Sequence, residues 1–198
     1  PAQRARASGA LGRGIREVTG LVNDLIELAR DEEPLPLLEE VRIAEVAEHA
    51  VATARTHWPQ TRFLLEAGAG AAEAVRPGVP ARLARLLTNL LDNAAKFSPP
   101  GTPVEVGLTA YEDGLELTVR DHGPGIPAAD LPYVFDRFYR AEAARALPGS
   151  GLGLAMARQI ARAHGAELTA GAVPGGGALF TLTFGPEGPP GSGAGEGP

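Results

Sequence analysis

The chain has 198 residues, a net charge of −6 and 44% hydrophobic residues, a size for one ordinary domain plus at most a short helical element. It contains no cysteine, which removes disulfide frameworks, thiolate metal sites and cysteine nucleophiles together. No apolar run reaches the ~18 residues of a membrane span, no secretory leader is recognisable, and the acidic balance argues against a nucleic-acid partner.

In chain order, residues 1–10 are small and basic and are expected to fray. Over 11–30, Ile15, Val18, Val22, Leu25 and Ala29 recur at spacings of 3 and 4, the pattern of a bundle seam. Gly12, Gly14 and Gly20 weaken the start of that helix, and Pro34 stops it. A second helix is expected over 42–57, a strand over 61–67 and a short strand over 72–76. Residues 80–97 read as a strongly periodic helix entered through Pro80 and ended by Ser98-Pro99-Pro100-Gly101. Two alternating segments around Glu112-Asp113-Gly114 predict a β-hairpin. A glycine-bearing loop at 121–127 and a short helical piece around 128–136 follow, then a helix over 152–164 ended by Gly165. Two further strands flank a glycine turn. The last 14 residues contain 6 Gly and 4 Pro and are expected to be a disordered tail. This order predicts an α+β fold: a two-layer α/β sandwich whose mixed sheet is covered by three helices on one face, preceded by a single bundle-forming helix.

Seventeen of the 18 basic residues are Arg. The single Lys and two of the three Asn fall within eight residues, as Asn89, Asn93 and Lys96. On a helix these sit at i, i+4 and i+7 and form one stripe beside Leu83, Leu86, Leu87, Leu90 and Ala94. Asn is a poor helix former, so two mid-helix need a reason. An amide oxygen can ligate Mg²⁺ without adding negative charge beside a triphosphate, and a Lys one turn on can neutralise phosphate oxygens. The same stripe is equally consistent with a solvated polar face.

Three more segments carry chemistry. In TVRDHGPGIP a strand delivers Asp121 into a loop where Gly123 and Gly125 permit close ligand approach. A carboxylate there can accept a hydrogen bond from adenine N6, although a plain Asx-type turn explains it too. His122 has no metal or triad spacing and reads as a loop residue. In VFDRFYRA, Phe135, Phe138 and Tyr139 could anchor a mobile lid while Arg137 and Arg140 reach for phosphate. Their alternative is a hydrophobic corner with solvated arginines. In GSGLGLA, Gly149, Ser150, Gly151, Leu152 and Gly153 lead into a helix whose backbone N–H groups can hold phosphates. No GK[ST] follows, so a P-loop is excluded.

Together and in this order, the four segments resemble the ATP-binding catalytic domain of sensor histidine kinases, in the GHKL ATPase superfamily. NLLDNAAKFSP looks like the family's N box, DHGPGIP its first glycine box, FDRFYRA its F box and GSGLGLA its second glycine box. The resemblance covers about residues 35–185. It implies Mg²⁺ and ATP as ligands, with Asn93 as the metal ligand and Asn89 in support. It implies Lys96 on phosphate, Phe97 beside adenosine, Asp121 and Gly125 at adenine, and Gly149, Gly151 and Gly153 as the phosphate loop of a lid. Arg137 and Arg140 stand where the family uses Arg near the γ-phosphate, Arg140 being favoured. Asn89, Lys96 and Arg140 are the implied catalytic groups.

Residues 11–30 resemble the second helix of the dimerisation and phosphotransfer hairpin, so the implied division is 1–33, 35–185 and a tail from 186. The family's phosphoacceptor motif is absent: His49 and His57 read as ordinary surface or helix-end residues, and His164 as an imidazolium suited to a helix end. The expectation is a cytoplasmic fragment of a membrane-anchored homodimeric kinase. It would bind Mg·ATP, would not phosphorylate itself, and would act with a phosphoacceptor hairpin and a response regulator receiver domain. An anti-sigma-type serine kinase lacks the hairpin helix, and a gyrase- or chaperone-type ATPase would want a catalytic carboxylate where Asn89 stands. A nucleotide-binding pseudokinase module is the alternative from another class.

Overall fold

The computed structural model describes residue 22, residues 37–112, 114–142, 147 and 149–186. Apart from residue 22, the expected helix at 11–30 lies outside the described residues, as does the expected tail beyond residue 186. The described elements are β1 Glu39–Arg42, α1 Ile43–His57, β2 Arg62–Ala67, β3 Val75–Gly78, α2 Pro80–Phe97, β4 Pro103–Tyr111, β5 Gly114–Arg120, α3 Gly153–Ala163, β6 Ala166–Ala172 and β7 Ala178–Phe184.

Five strands form one sheet in the order β2-β4-β5-β7-β6. β2 pairs with β4 in parallel and every other pair is antiparallel, so the sheet is mixed as expected. Alternation sets the buried face: Val104, Val106 and Leu108 of β4 lie inside, as do Leu115, Leu117 and Val119 of β5 and Phe180, Leu182 and Phe184 of β7. Against them pack Val46, Ala47, Ala50, Val51 and Ala54 of α1, the leucines of α2, and Met156, Ala157 and Ile160 of α3. The sandwich therefore has three helices among the described residues, joined to the sheet by one continuous core.

The helix α2 obeys its sequence closely. Pro80 opens it where a missing N–H costs nothing, and Leu83, Leu86, Leu87, Leu90, Leu91, Ala94 and Ala95 are buried. Burying all of those leucines fixes the rotation of the helix, which turns the Asn89, Asn93 and Lys96 stripe away from the sheet. β1 was not expected: only Val41 of Glu-Glu-Val-Arg is buried, so it has no alternating signal, and it exists by pairing with β3. β3 lies at 75–78 rather than 72–76, because its register is set by that pairing.

Two expectations are corrected here. Residues 128–136 form successive turns, with Asp130 N–H on Pro127 O, Tyr133 N–H on Asp130 O and Asp136 N–H on Tyr133 O. Pro132 has no N–H and interrupts any helical ladder through this segment. His164 is buried, not a charged end group: Nδ1 lies 2.7 Å from Ile160 O and Nε2 lies 3.1 Å from the Val79 amide. A carbonyl can only accept and an amide N–H can only donate, so the ring is the neutral Nδ1–H imidazole. Burial, opposed by the Ile160 hydrogen bond and reinforced by Arg82, pushes its pKa below the usual histidine value.

Candidate functional site

A cavity of about 1420 Å³ opens where the N-terminal end of α3, the polar stripe of α2 and the loops after β5 converge. Asn89, Asn93, Lys96 and Phe97 line it from α2 and Gly149, Ser150, Gly151 and Gly153 from the glycine loop and α3. Asp121, Gly125 and Arg140 line it as well. Thus 11 of the 14 positions proposed in the sequence to bind nucleotide or metal share one surface. Gly123, Arg137 and Leu152 do not line it. Gly123 serves the wall behind, where its N–H donates to Asp121 Oδ1 at 2.8 Å. Arg137 is exposed, on the turn just before the left-handed Phe138. Leu152 is fully buried and caps α3, its N–H donating to Ser150 Oγ at 3.2 Å.

Asp121 is buried at the end of β5, and its backbone N–H pairs with Ala178 O. One carboxylate oxygen, Oδ1, accepts the N–H groups of Gly123 at 2.8 Å and Ala178 at 3.1 Å. That division fixes the carboxyl plane and leaves Oδ2 outside these two bonds. Burial pushes the Asp121 pKa up, while the two backbone bonds and neighbouring His122 pull it back. His122, expected to be a plain loop residue, meets Glu105 across the hairpin at 3.0 Å. The crossing is tight: a Cβ on Gly177, whose φ is +92°, would stand 2.0 Å from the Asp121 carbonyl oxygen. Only glycine fits there.

Lys96 of α2 lies against the glycine loop. Its Nζ lies 2.9 Å from where a Cβ of Gly149 would stand and 5.3 Å from the Phe97 ring centre. Burial, and secondarily the Arg140 guanidinium, lower its pKa from the ordinary lysine value. Two half-buried cations so close together favour a multiply charged anion between them. Arg140 also donates to Leu147 O. The segment from Phe138 to Gly151 is pinched at its base, where Phe138 N–H donates to Gly151 O at 3.0 Å. Phe138 is left-handed with φ 65°, and a Cβ on Gly151 would strike its backbone at 2.8 Å. An exposed left-handed phenylalanine is backbone strain at the neck of a loop.

Among the cavity residues not foreseen are Trp58, Asp92 and His57. Trp58 follows α1 and donates its indole N–H to Asp92 Oδ1 at 2.7 Å, and His57 ends α1 beside it. The signal in the sequence was the only Trp of the chain, but its partner lies 34 residues on, beyond any local pattern. His49 is exposed on α1 and His57 at its end, as the sequence suggested.

The donor set suits a magnesium nucleotide. Among the described residues no cluster of three His, Cys, Asp or Glu could hold a metal by itself. The cavity does hold neutral amides, and Asn89 Nδ2 is buried without a hydrogen-bond partner. Mg²⁺ is typically bound through one or two protein oxygens with phosphates and waters, which such a wall permits.

Comparison with known proteins agrees with this geometry. Residues 78–188 match the model of the family described as histidine kinase-, DNA gyrase B- and HSP90-like ATPase, and the chain belongs to that family. Within it, the chain is an ATP-binding catalytic domain of the histidine kinase type. It is 45% identical over 164 residues to the signal transduction histidine-protein kinase/phosphatase MprB of Mycobacterium sp. (strain KMS), covering 82% of this chain and 31% of that protein. With MprB of Mycolicibacterium vanbaalenii it shares 41% over 189 residues, 90% of this chain and 37% of the relative. The chain therefore spans about a third of the length of these curated relatives. A solved mycobacterial sensor histidine kinase MprB superposes with TM-score 0.67 at 33% identity over 78% of this chain and 99% of that one. Full-length ShkA, solved with AMPPNP, gives TM-score 0.76 at 25% identity over 94% of this chain and 39% of that one.

Proposed function

We propose that this chain binds Mg·ATP in the cavity and presents the γ-phosphoryl to a histidine on a phosphoacceptor hairpin of its full-length parent, for relay to a response regulator receiver domain. The observation that carries the reading is the convergence of Asn89, Asn93 and Lys96 with Asp121 and the Gly149–Gly153 loop around one cavity. Oδ2 of Asp121 would accept the adenine N6 amine, because Oδ1 is already taken by two backbone donors. Asn93, supported by Asn89, would hold the metal through its amide oxygen; when bound, Mg²⁺ supplies charge neutralisation on the phosphates. Lys96 and Arg140 would stabilise charge on the transferring phosphoryl, and the glycine loop would add backbone N–H groups at the start of α3. Phe97 would flank the adenosine.

The chemistry asked of these groups is positioning and electrostatic stabilisation, with the nucleophile coming from outside. In-line attack by an imidazole nitrogen on the γ-phosphorus breaks the bond to the bridging oxygen and leaves ADP. We infer a division into hairpin helix 1–33, catalytic domain 35–185 and tail 186–198, and a homodimeric, membrane-anchored parent. No described helix is long and apolar enough to cross a membrane.

Incubating the chain with the parent's phosphoacceptor hairpin, supplied as a separate polypeptide, and γ-labelled ATP tests the assignment. Acid-labile, base-stable label on the hairpin histidine supports a kinase. Tight ATP binding with no label transfer supports a nucleotide-binding interaction module instead.

A further inference from the structure

One buried ionisable side chain lies outside the chemistry above. His164, at the C-terminal end of α3, reaches across to the amide of Val79, the residue that caps the N-terminus of α2. Its other nitrogen donates to Ile160 O in the last turn of its own helix. The ring thus bridges two backbones 85 residues apart in sequence. The fit is close: a Cβ on Gly78 would stand 3.0 Å from His164 Cδ2 and 2.9 Å from Leu83 Cδ1, so the ring occupies the space glycine leaves.

The two helices it joins pack on each other, and both line the cavity. They run antiparallel, as three pairs along them show. His164 meets Val79, Met156 Sδ meets Arg85 Nε at 3.1 Å, and Gly153 lies against Asn89, with a Cβ there 3.7 Å from Asn89 Oδ1. At a rise of 1.5 Å per residue, the Val79 end lies about 15 Å along the axis from Asn89. Sliding α2 on α3 would change the spacing between Asn89, Asn93 and Lys96 and the glycine loop. The Arg85 contact to Met156 is to a soft sulfur acceptor, whereas the His164 bond is directional.

We propose that His164 is a positioning residue for nucleotide binding: as the neutral Nδ1–H imidazole it fixes the register of α2 against α3, so that protonating it loosens the phosphate site. A proton on Nε2 would set two N–H groups against each other, and the Val79 amide would lose its acceptor. The surroundings oppose that proton. Arg82 of α2 is the charged group that bears on the ring. Gly78 of β3 and Ile160 of α3 present no charge, and Glu167 of the adjoining β6 is exposed. Because the folded state disfavours the proton, the contribution of His164 to stability is complete above the ordinary histidine pKa of about 6.5 and is lost as pH falls through its depressed folded value.

The inference rests on the nucleotide site proposed above, and its test separates the two. Long-range ¹⁵N NMR of the wild-type chain should find His164 as the neutral Nδ1–H tautomer at pH 6.5. The Val79 amide resonance should move with the ring's titration at lower pH. Calorimetric titration of Mg·ATP at pH 7.5 should give about three- to tenfold weaker binding for His164→Ala. His164→Gln, which offers one donor and one acceptor, should recover most of that loss. As the pH is lowered through the His164 titration that the NMR locates, the wild type should lose about three- to tenfold more affinity than His164→Gln; comparing the two cancels the ionisation of ATP, Asp121 and Lys96. Identical pH dependence in both proteins, an Nε2–H or protonated ring at pH 6.5, or full affinity in His164→Ala would overturn the proposal. If His164→Ala does not fold, the wild-type NMR and the His164→Gln comparison still decide it. A wild type that binds no nucleotide at any pH overturns the proposed function first, and this inference with it.

Discussion

Replacing Asp121 by Asn isolates what its second oxygen does. Asn keeps the shape of the side chain and one carbonyl oxygen, which can go on accepting the N–H groups of Gly123 and Ala178 at 2.8 and 3.1 Å. The group facing the cavity changes from an acceptor to an NH₂ donor, which opposes the exocyclic amine of adenine. A hydrogen bond to a charged acceptor contributes about 1.5–3 kcal/mol, and about 1.4 kcal/mol is tenfold in affinity. Asp121→Asn should therefore weaken Mg·ATP binding by about 10- to 150-fold. Inosine triphosphate carries a carbonyl where adenine carries the amine, so its disadvantage relative to ATP should shrink or reverse in the variant. Stability should move the other way. Burial raises the Asp121 pKa in the folded chain. A carboxyl whose folded pKa is raised contributes stability that is complete below about pH 3.9 and is lost as pH rises through the raised value. At neutral pH the ionised group is thus a cost, held for binding, and Asn removes it. Calorimetric titration with both nucleotides, beside thermal melts at pH 7, reads the whole prediction: weaker ATP binding with an unchanged or higher Tm. ATP affinity within twofold of wild type would refute the adenine assignment. Parallel loss of affinity and Tm would make the effect structural.

Other outcomes follow from the same geometry. Gly177→Ala puts a Cβ 2.0 Å from the Asp121 carbonyl at φ +92°, so urea unfolding should show a loss of at least about 2 kcal/mol; a change under 0.5 kcal/mol would contradict the tight crossing. Lys96→Gln should weaken Mg·ATP binding by roughly 10- to 100-fold. It should also remove an alkaline decline in affinity that begins below the pH of an ordinary lysine, since burial lowers the Lys96 pKa. The same decline surviving in Lys96→Gln would assign it elsewhere. Trp58 is the only Trp and lines the cavity, so its emission should change on titration with Mg·ATP. A flat trace alongside calorimetric binding would put the nucleotide in another place.

What could be read from the sequence was what neighbours in the chain decide. The bounds of α2 were legible because Pro80 and the Ser-Pro-Pro-Gly stop are local, and because five leucines repeat at helical spacing on one face. The strands of the hairpin were legible from alternation. The cavity was legible because its groups are carried in four short segments whose residue types suit phosphate, adenine and metal. β1 was not, since an edge strand with one buried residue owes its existence to β3. Nor was the donor that Trp58 gives Asp92, nor the two backbones bridged by His164, because both join positions far apart in the chain. At His164 the local argument pointed the wrong way: a helix end favours an imidazolium, but burial between two helices outweighs that gain. Arg137 and Arg140 look alike in sequence. The left-handed turn at Phe138 between them separates an exposed arginine from one that faces the cavity.

The central claim is that Asn93 holds the metal of a bound Mg·ATP. Calorimetric titration of ATP into wild type and Asn93→Ala, each with excess Mg²⁺ and with EDTA, tests it directly. Wild type should bind at least tenfold more tightly with Mg²⁺ than with EDTA, and Asn93→Ala should bind with the weaker affinity in both. Equal Mg²⁺-dependent affinity in the two proteins would contradict the account.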